Sequence, residues 1–599
     1  MSDHRSFTEL LAEHAVYHGG RDALVVLEHG PWEAAPVRVD YAGLDLDARA
    51  LAVWLHDHGA AGERILIQQP NPLRFAVSFL ACLYAGAIAI PGPDPGGPRN
   101  AERRAVGIVR DAAVSFALTD SDNAGTVSRV LAVAGYPDVA CVAIDTVLGL
   151  AQAPDPDEWN MPDLDADTIA LLQYTSGSTG DPRGVAIRHG NLLANQAAIQ
   201  RALGTGEESV IGGWLPLHHD MGLVGQLLHP LFLGATSVLM SPGAFVRRPA
   251  RWLRMISEHR ITVSAAPNFG YEHCVQRIED HQLADVDLGC WEVAVNGGEP
   301  VRPGTLGAFA NRFEPFGLRP NALRPAYGLA ESTLLVACTD GRLPAHVDVD
   351  RAGLELRKLR RAVPGNPSRT LVGCGPVYGA EVRIVDPEDF EVLPERSLGE
   401  IWLRGPSVAR SYWARPLESA DAFNATTSDG ESGFMRTHDL GLIDGGELYI
   451  ASRLSDLINI AGRNLHPDDL EQAVKRVSVL FGAGVAFSVE SERDHVVVVQ
   501  EVRQALARAG ADLASLAASV RERVAEEFEV RAEGVLLVRP GTVRRTTSGK
   551  LERWTVRRLF LTGRLDPLHE LVEPEVRRLV RTPGRPQRPA AAAAVRRAA

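Results

Sequence analysis

The sequence predicts an α/β protein with a large N-terminal domain of mostly parallel sheets and flanking helices, a β-rich subdomain, and a small α+β C-terminal domain. Three observations carry this. The 599 residues exceed what one hydrophobic core supports. Up to about residue 335, short apolar runs alternate with helical segments, as in "ERILIQQPNP" followed by "LRFAVSFLACLYAGAIAIPG"; such alternation builds parallel sheets covered on both faces. The alternation then stops and later restarts.

Between Val372 and about Glu447 the runs "AEVRIVD", "GEIWLRG" and "GELYIASR" read as strands separated by Gly and Pro turns. After "SRLSDLINIAGRNLHPDDLEQAVKRV", "HVVVVQEV" and "GVLLVRPG" read as strands and "ADLASLAASVRERVAEEFEV" as an amphipathic helix. The domains are placed at 1–453, with its β-rich part at about 372–450, and at 454–575. Residues 576–599, rich in Pro, Arg and Ala, are expected to be disordered. No internal repeat stands out.

Composition narrows the function. A net charge of -13 argues against a nucleic-acid surface, which would be basic. No apolar stretch reaches the ~18 residues of a membrane helix, and the first 20 residues lack a signal-peptide core, so a cytoplasmic protein is expected. The six cysteines show no CxxC spacing and read as small buried hydrophobes. Of 62 basic residues only Lys358, Lys475 and Lys550 are lysine, so a lysine here is a rare choice.

The stretch "TSGSTGDPRG" (175–184) is the most loaded. It follows the apolar strand "TIALLQY" and precedes "HGNLLANQAAIQRAL", which starts a helix. Glycines and hydroxyls leaving a strand can aim successive N–H groups at phosphate oxygens. It is not the P-loop of nucleoside triphosphatases, because GxxxxGK[ST] is absent. A Ser/Gly surface loop is the plain alternative.

Further stretches decide between these. "YTSGSTGDPRGV", "RPAYGLAEST" (324–333), "MRTHDLG" (435–441), "ASRLSD" (451–456) and "RRTTSGKLER" (544–553) resemble, in order, the phosphate, adenine and magnesium, ribose, hinge and C-terminal lysine motifs of the adenylate-forming superfamily. That superfamily includes acyl-CoA synthetases, nonribosomal adenylation domains and luciferases. The likeness runs from about residue 7 to 575 and implies a mobile C-terminal domain. It implies ATP and Mg²⁺ as cofactors. It also implies nucleotide contacts from Thr175, Ser176, Gly177, Ser178, Thr179, Gly180, Arg183, Gly297, Gly298, Ala326, Tyr327, Gly328, Asp439 and Arg453. Thr179 and Glu331 would hold the metal, and Lys550 would bridge the substrate carboxylate and the α-phosphate. Attack of a carboxylate on a phosphate gathers negative charge, which positioned cations stabilise, and a compact ammonium enters where a planar guanidinium does not fit. The chain departs from the superfamily pattern at His438, where glycine is usual, at Ser455, and at Arg183, where lysine is usual.

Within the superfamily, "GWLPLHHDMGLVGQLLHPLFLGATSVLMSPGAFVRRPARWLRMISEHRITVSAAPNFGYEHC" (213–274) and "NGGEPVRPGTL" (296–306) resemble fatty acyl-AMP ligases. By that resemblance His219, taken as catalytic, and Asp220 border the reacting carboxylate, while Met240, Ser241, Phe269 and Gly270 lie near an acyl tunnel. Met240 and Phe269 read equally well as core. The Arg-rich stretch at about 346–372 matches an insertion thought in those ligases to restrain the C-terminal domain from the pose that admits coenzyme A. The resemblance implies activation of a fatty acid as acyl-AMP and transfer to the phosphopantetheine of an acyl carrier protein. It implies no nucleic-acid partner and no stable membrane insertion. A fatty acyl-CoA synthetase, and a non-catalytic adenylate-binding relative, remain the alternatives.

Overall fold

A computed structural model describes residues 4–27, 35–97, 99–149, 153–176, 182–355, 360–363, 368–460, 463–491, 493–503, 512–545 and 551–580. These divide into two compact units, one ending at Ser455 and the other beginning at Asp456.

In the first unit the alternation gives two mostly parallel sheets. One has the strand order Ala140–Ala143, Phe116–Thr119, Arg64–Ile67, Ile88–Pro91, Ile169–Ser176, Pro182–Arg188, and only its last pair is antiparallel. The other runs Leu335–Cys338, Leu323–Gly328, Val293–Asn296, Val263–Ala266, Val210–Gly213, Thr236–Met240, Asp22–Leu27, Val37–Asp40, with antiparallel pairs only at its two edges. The helix Pro72–Tyr84 shows why such a layered fold suits this sequence. The Asn71 side chain accepts from Leu73 N and Arg74 N at 2.9 and 3.2 Å, and proline fills the first helical position. Every residue from Phe75 to Tyr84 is buried, as a helix apolar all round requires.

One element departs from the sequence reading. The helix His189–Leu203 forms where expected, but the loop does not lead straight into it. Pro182–Arg188 is a strand that folds back on Ile169–Ser176. Its apolar run, Val185 to Ile187, is too short to separate from a helix start by pattern alone, and burial of all three side chains settles the choice.

The β-rich part is an antiparallel sheet built from Glu381–Val385, Gly399–Arg404, Phe434–Asp444 and Phe423–Ala425, with Glu447–Arg453 also paired to Phe434–Asp444. The 346–372 stretch contributes an antiparallel pair, His346–Asp350 with Ser368–Val372, and a short helix Arg351–Glu355; its residues 356–359 and 364–367 lie outside the described residues. It is tied to the strand Glu447–Arg453, because Arg369 Nη2 donates to Ala451 O at 2.7 Å. Five cysteines are buried and Cys141 is half-buried; all six are free thiols.

The second unit is a four-stranded sheet in the order Phe481–Glu490, Asp494–Val502, Ala532–Val538, Pro567–Val572. Its run of four valines obeys the two-residue period of a strand. Val496 and Val498 enter one hydrophobic cluster with Val520, Val524 and Phe528 of the helix Leu513–Phe528, while Val497 and Val499 enter another with Val556 and Phe560 of the helix Arg553–Leu561. That last helix starts on a charge network. Arg553 donates through Nε to Glu471 at 2.6 Å, through Nη1 to Asp456 at 2.9 Å, and through Nη2 to Asp468 at 2.6 Å and Glu471 at 2.9 Å. Burial works against its charge, but the three carboxylates hold the guanidinium protonated. Among the described residues no helix is long and apolar enough to cross a membrane.

Arg553→Met should therefore destabilise the second unit by about 3–5 kcal/mol, since it strips carboxylates of a buried partner. Urea-dependent hydrogen exchange at Val496 to Val499 in the full-length protein measures this; a loss under ~1 kcal/mol would show the network to be dispensable.

Candidate active site

The hairpin of Ile169–Ser176 and Pro182–Arg188 pairs Thr175 with Arg183 and Ser176 with Pro182. The turn itself, with Gly177, Ser178, Thr179 and Gly180, lies outside the described residues. Both flanks are fixed. Arg104 Nη2 donates to Tyr174 O at 2.9 Å, and Tyr174 Oη donates to Asp111, which also accepts from Arg415. Gly184 makes this possible: a Cβ there would sit 2.9 Å from Tyr174 Cζ, so only glycine lets the ring cross the hairpin. Residues 411–413 add a further strand edge, with Ala186 N donating to Ser411 O at 3.1 Å and Trp413 N to Gly184 O at 2.7 Å.

That edge brings Tyr412 over the site. Its hydroxyl donates to Glu331 Oε1 at 3.0 Å, and the Arg183 guanidinium lies 5.7 Å from its ring centre, within cation–π range. Burial and the Glu331 charge raise the Tyr412 pKa, so it stays a neutral donor. Glu331 stands on a single helical turn, Ala330–Ser332, whose position is set by Ala409 N donating to Glu331 O at 2.8 Å and by the Thr333 hydroxyl donating to Ser407 O at 2.7 Å.

A second constellation forms on the strands Leu323–Gly328, Phe434–Asp444 and Glu447–Arg453. Tyr327 Oη donates to Asp439 Oδ2 at 2.7 Å, and Arg453 Nε donates to Asp439 Oδ1 at 2.9 Å. Tyr327 is buried, and burial together with the Asp439 charge keeps its phenol protonated. Gly297 and Gly298 follow the strand Val293–Asn296; a Cβ on Gly297 would lie 3.1 Å from Ala326 O, which places it beside the Ala326 backbone, whereas one on Gly298 would meet Met221 Sδ at 2.9 Å. Gly328 itself passes so near Leu334 O that no side chain fits.

His438, beside Asp439, has φ of 57°, the left-handed conformation that a glycine adopts freely. It is held by the fully buried Glu400, whose carboxylate accepts from His438 N at 3.0 Å and from Arg436 Nε and Nη2; the imidazole Nδ1 lies 3.3 Å from the same carboxylate. Burial alone would raise the Glu400 pKa, but hydrogen bonds from His438 and Arg436 and the Arg436 charge bring it down to about 2.

The third group surrounds the His219 turn. Gln173 Nε2 donates to His218 O at 3.0 Å, joining this turn to the hairpin of Ile169–Ser176 and Pro182–Arg188. The His218 and His219 rings are 4.8 Å apart, and burial lowers the His218 pKa to about 3, so its ring is neutral. Asp220 accepts from Met221 N at 2.7 Å and caps the π-helix Met221–Leu228. Met240 and Ser241 line a small cleft with Gln69, Phe75, Asp94 and His218, while the Ser241 hydroxyl also caps the helix Pro242–Arg247. Phe269 and Gly270 lie elsewhere, against Trp214: the rings of Phe269 and Trp214 are 5.8 Å apart. Met240 both lines the cleft and belongs to the buried core cluster that contains Trp214, and the partly buried Phe269 packs against that same cluster. Lys550 lies outside the described residues; the segment before and after it is closed by the Arg545–Leu551 bridge and by Glu552 N donating to Arg544 O at 2.9 Å.

With this geometry in place, comparison with known proteins is specific. Residues 11–413 match the family model of AMP-binding enzymes. The chain belongs to the AMP-binding enzyme family. Adenylate-forming enzymes of this family use ATP. The chain is 38% identical over 574 residues, 93% of its length and 95% of the relative's, to the medium-chain-fatty-acid–acyl-carrier-protein ligase JamA of Moorena producens. It is 36% identical over 521 residues, 84% of this chain and 82% of the other, to the 4-hydroxyphenylalkanoate adenylyltransferase of Mycobacterium tuberculosis. Among solved structures, a fatty acyl-adenylate ligase from L. pneumophila in complex with acyl adenylate and pyrophosphate superposes with a TM-score of 0.73 at 30% identity, covering 95% of this chain and 98% of that one.

In this AMP-binding enzyme the Glu400 contacts should be measurable through pH. Its folded pKa of about 2 lies below the ordinary 4.5, so its stabilisation is fully present above pH 4.5 and fades as pH falls towards 2. The shift corresponds to about 3 kcal/mol. Denaturation of the protein and of Glu400→Gln should differ by that order at pH 7 and converge in acid; a gap independent of pH would refute the assignment.

Proposed function

We propose that the protein activates a fatty acid with ATP and passes the acyl group to the phosphopantetheine thiol of an acyl carrier protein, inside the cytoplasm. The carboxylate oxygen attacks the α-phosphorus, the bond to the β-phosphate oxygen breaks, and pyrophosphate leaves. The thiol sulfur then attacks the acyl carbon and AMP leaves. The reading is carried by one observation: a phosphate hairpin flanked by Arg183 and Glu331, and a carboxylate, Asp439, poised beside Tyr327 and Arg453, occur together in one unit.

The residue roles follow from chemistry. Asp439 would accept both ribose hydroxyl protons, with Arg453 fixing its orientation. Tyr327 and the backbone of Gly297, Gly298, Ala326 and Gly328 would border adenine. Thr175 to Gly180 would present donors to the phosphates, and Arg183 a charge. Lys550 would join carboxylate and α-phosphate. His219 and Asp220 would border the acid, with the cleft at Met240 and Ser241 taking its chain. Mg²⁺ is bound by one or two carboxylates and completes its shell with phosphates and water, and Glu331 keeps one carboxylate oxygen beyond the one that accepts from Tyr412. Glu331, helped by Thr179, would hold it. Bound there, the ion would neutralise charge building on the phosphates.

The carrier protein is favoured over free coenzyme A because the relative at 38% identity is a medium-chain-fatty-acid–acyl-carrier-protein ligase. If the 346–372 stretch restrains the hinge, the thiol-accepting arrangement becomes costly, and a protein acceptor would offset that through contacts free coenzyme A does not make.

Two experiments test the reading. Purified protein with ATP and fatty acids of graded length should give acyl-AMP, and thioester with a phosphopantetheinylated carrier but not with coenzyme A; efficient acyl-CoA formation would make it a synthetase. Lys550→Ala should slow acyl-AMP formation by ~10²- to 10³-fold, and a near-normal initial rate would remove Lys550 from the chemistry.

A further inference from the structure

Tyr412 belongs to no motif recognised in the sequence, yet it touches both charged groups at the phosphate hairpin. Its position is tightly set. The backbone is bridged to Val185, its N–H donates to Ser419 Oγ at 3.0 Å, and its ring meets Phe423 edge-on at 5.0 Å. Only 8% of the residue is exposed. The hydroxyl holds Glu331 Oε1 while the ring face receives Arg183.

Two opposite charges this close to one tyrosine pose a physical problem. A guanidinium and a carboxylate free to meet form a bidentate pair, and such a pair would spend the cation meant for phosphate and the oxygens meant for a metal. A neutral phenol between them prevents this. It occupies one carboxylate oxygen, leaving the other to bind in the single-oxygen mode that suits magnesium's compact octahedral shell, and it parks the guanidinium on a ring face.

We propose that Tyr412 is a positioning residue that keeps Arg183 and Glu331 apart, so that one is free for nucleotide phosphate and the other for the divalent cation. This rests on the reading of those two residues given above. The test is calorimetric binding of α,β-methylene-ATP to the full-length protein, in Mg²⁺ and in EDTA, which needs no turnover. Tyr412→Phe, which keeps the ring, should reduce the Mg²⁺-dependent gain in affinity by about tenfold, as loss of a hydrogen bond to a charged group does, and leave metal-free affinity within about twofold. Tyr412→Leu should lose more, and adding Arg183→Gln to it should restore part of the Mg²⁺ gain by removing the competing cation. Equal loss with and without Mg²⁺, an unchanged gain in Tyr412→Phe, or no restoration in the double variant would each overturn the proposal. Glu331→Gln is the reference: if it keeps the full Mg²⁺ gain, the metal assignment itself is wrong and the role of Tyr412 falls with it. If Glu331→Gln is impaired while Tyr412→Phe is not, the positioning role alone fails.

Discussion

The hairpin of Ile169–Ser176 and Pro182–Arg188 is the constraint on which the site depends. A loop that presents several backbone donors to an anion can do so only if its two ends are held at one spacing, because each donor left misaligned loses most of its electrostatic value. Antiparallel pairing supplies that spacing through Ser176 and Pro182. Everything adjacent reinforces it: Tyr174 is anchored on Asp111, Gly184 yields room for the Tyr174 ring, and residues 411–413 bind the outer edge. The His219 turn is attached to the same hairpin through Gln173, so the turn and the hairpin share one rigid reference.

Two carboxylates of the site are held by neighbouring side chains and backbone. Asp439 accepts from Tyr327 and Arg453, and Glu400 from Arg436 and His438. Such pairing avoids the cost of burying an unsatisfied charge and fixes the direction in which the remaining lone pairs point. Preorganisation of this kind lets binding energy favour the transition state instead of reordering side chains.

Much of this was legible in the sequence, for reasons that differ by residue. The helix His189–Leu203 and the strands of the β-rich part follow from periodicity and turn residues. Tyr327, Asp439 and Arg453, although 112 and 14 residues apart, each sit in a short motif of distinct composition, and the structure brings them into contact. Tyr412 was not found. It lies 81 residues from Glu331, in a stretch with no glycine or charge pattern of its own, and a contact made by tertiary pairing leaves no trace in local spacing. Glu400 was missed similarly: alone in "GEIWLRG" it reads as a solvated strand residue, and only the burial of both its neighbours shows otherwise. The strand Pro182–Arg188 fell between the two periods that distinguish helix from strand.

His438 carries a consequence for how this chain can diverge. A non-glycine residue held at φ of 57° is strained by about 1 kcal/mol, and the contacts with Glu400 compensate for it. The two positions therefore form one heritable unit. Glycine at 438 would relieve the strain without releasing the acid, because Arg436 would still need its counter-ion, whereas loss of the acid leaves both a strained histidine and an unpaired arginine. Of the two positions, the anchor is therefore the less replaceable.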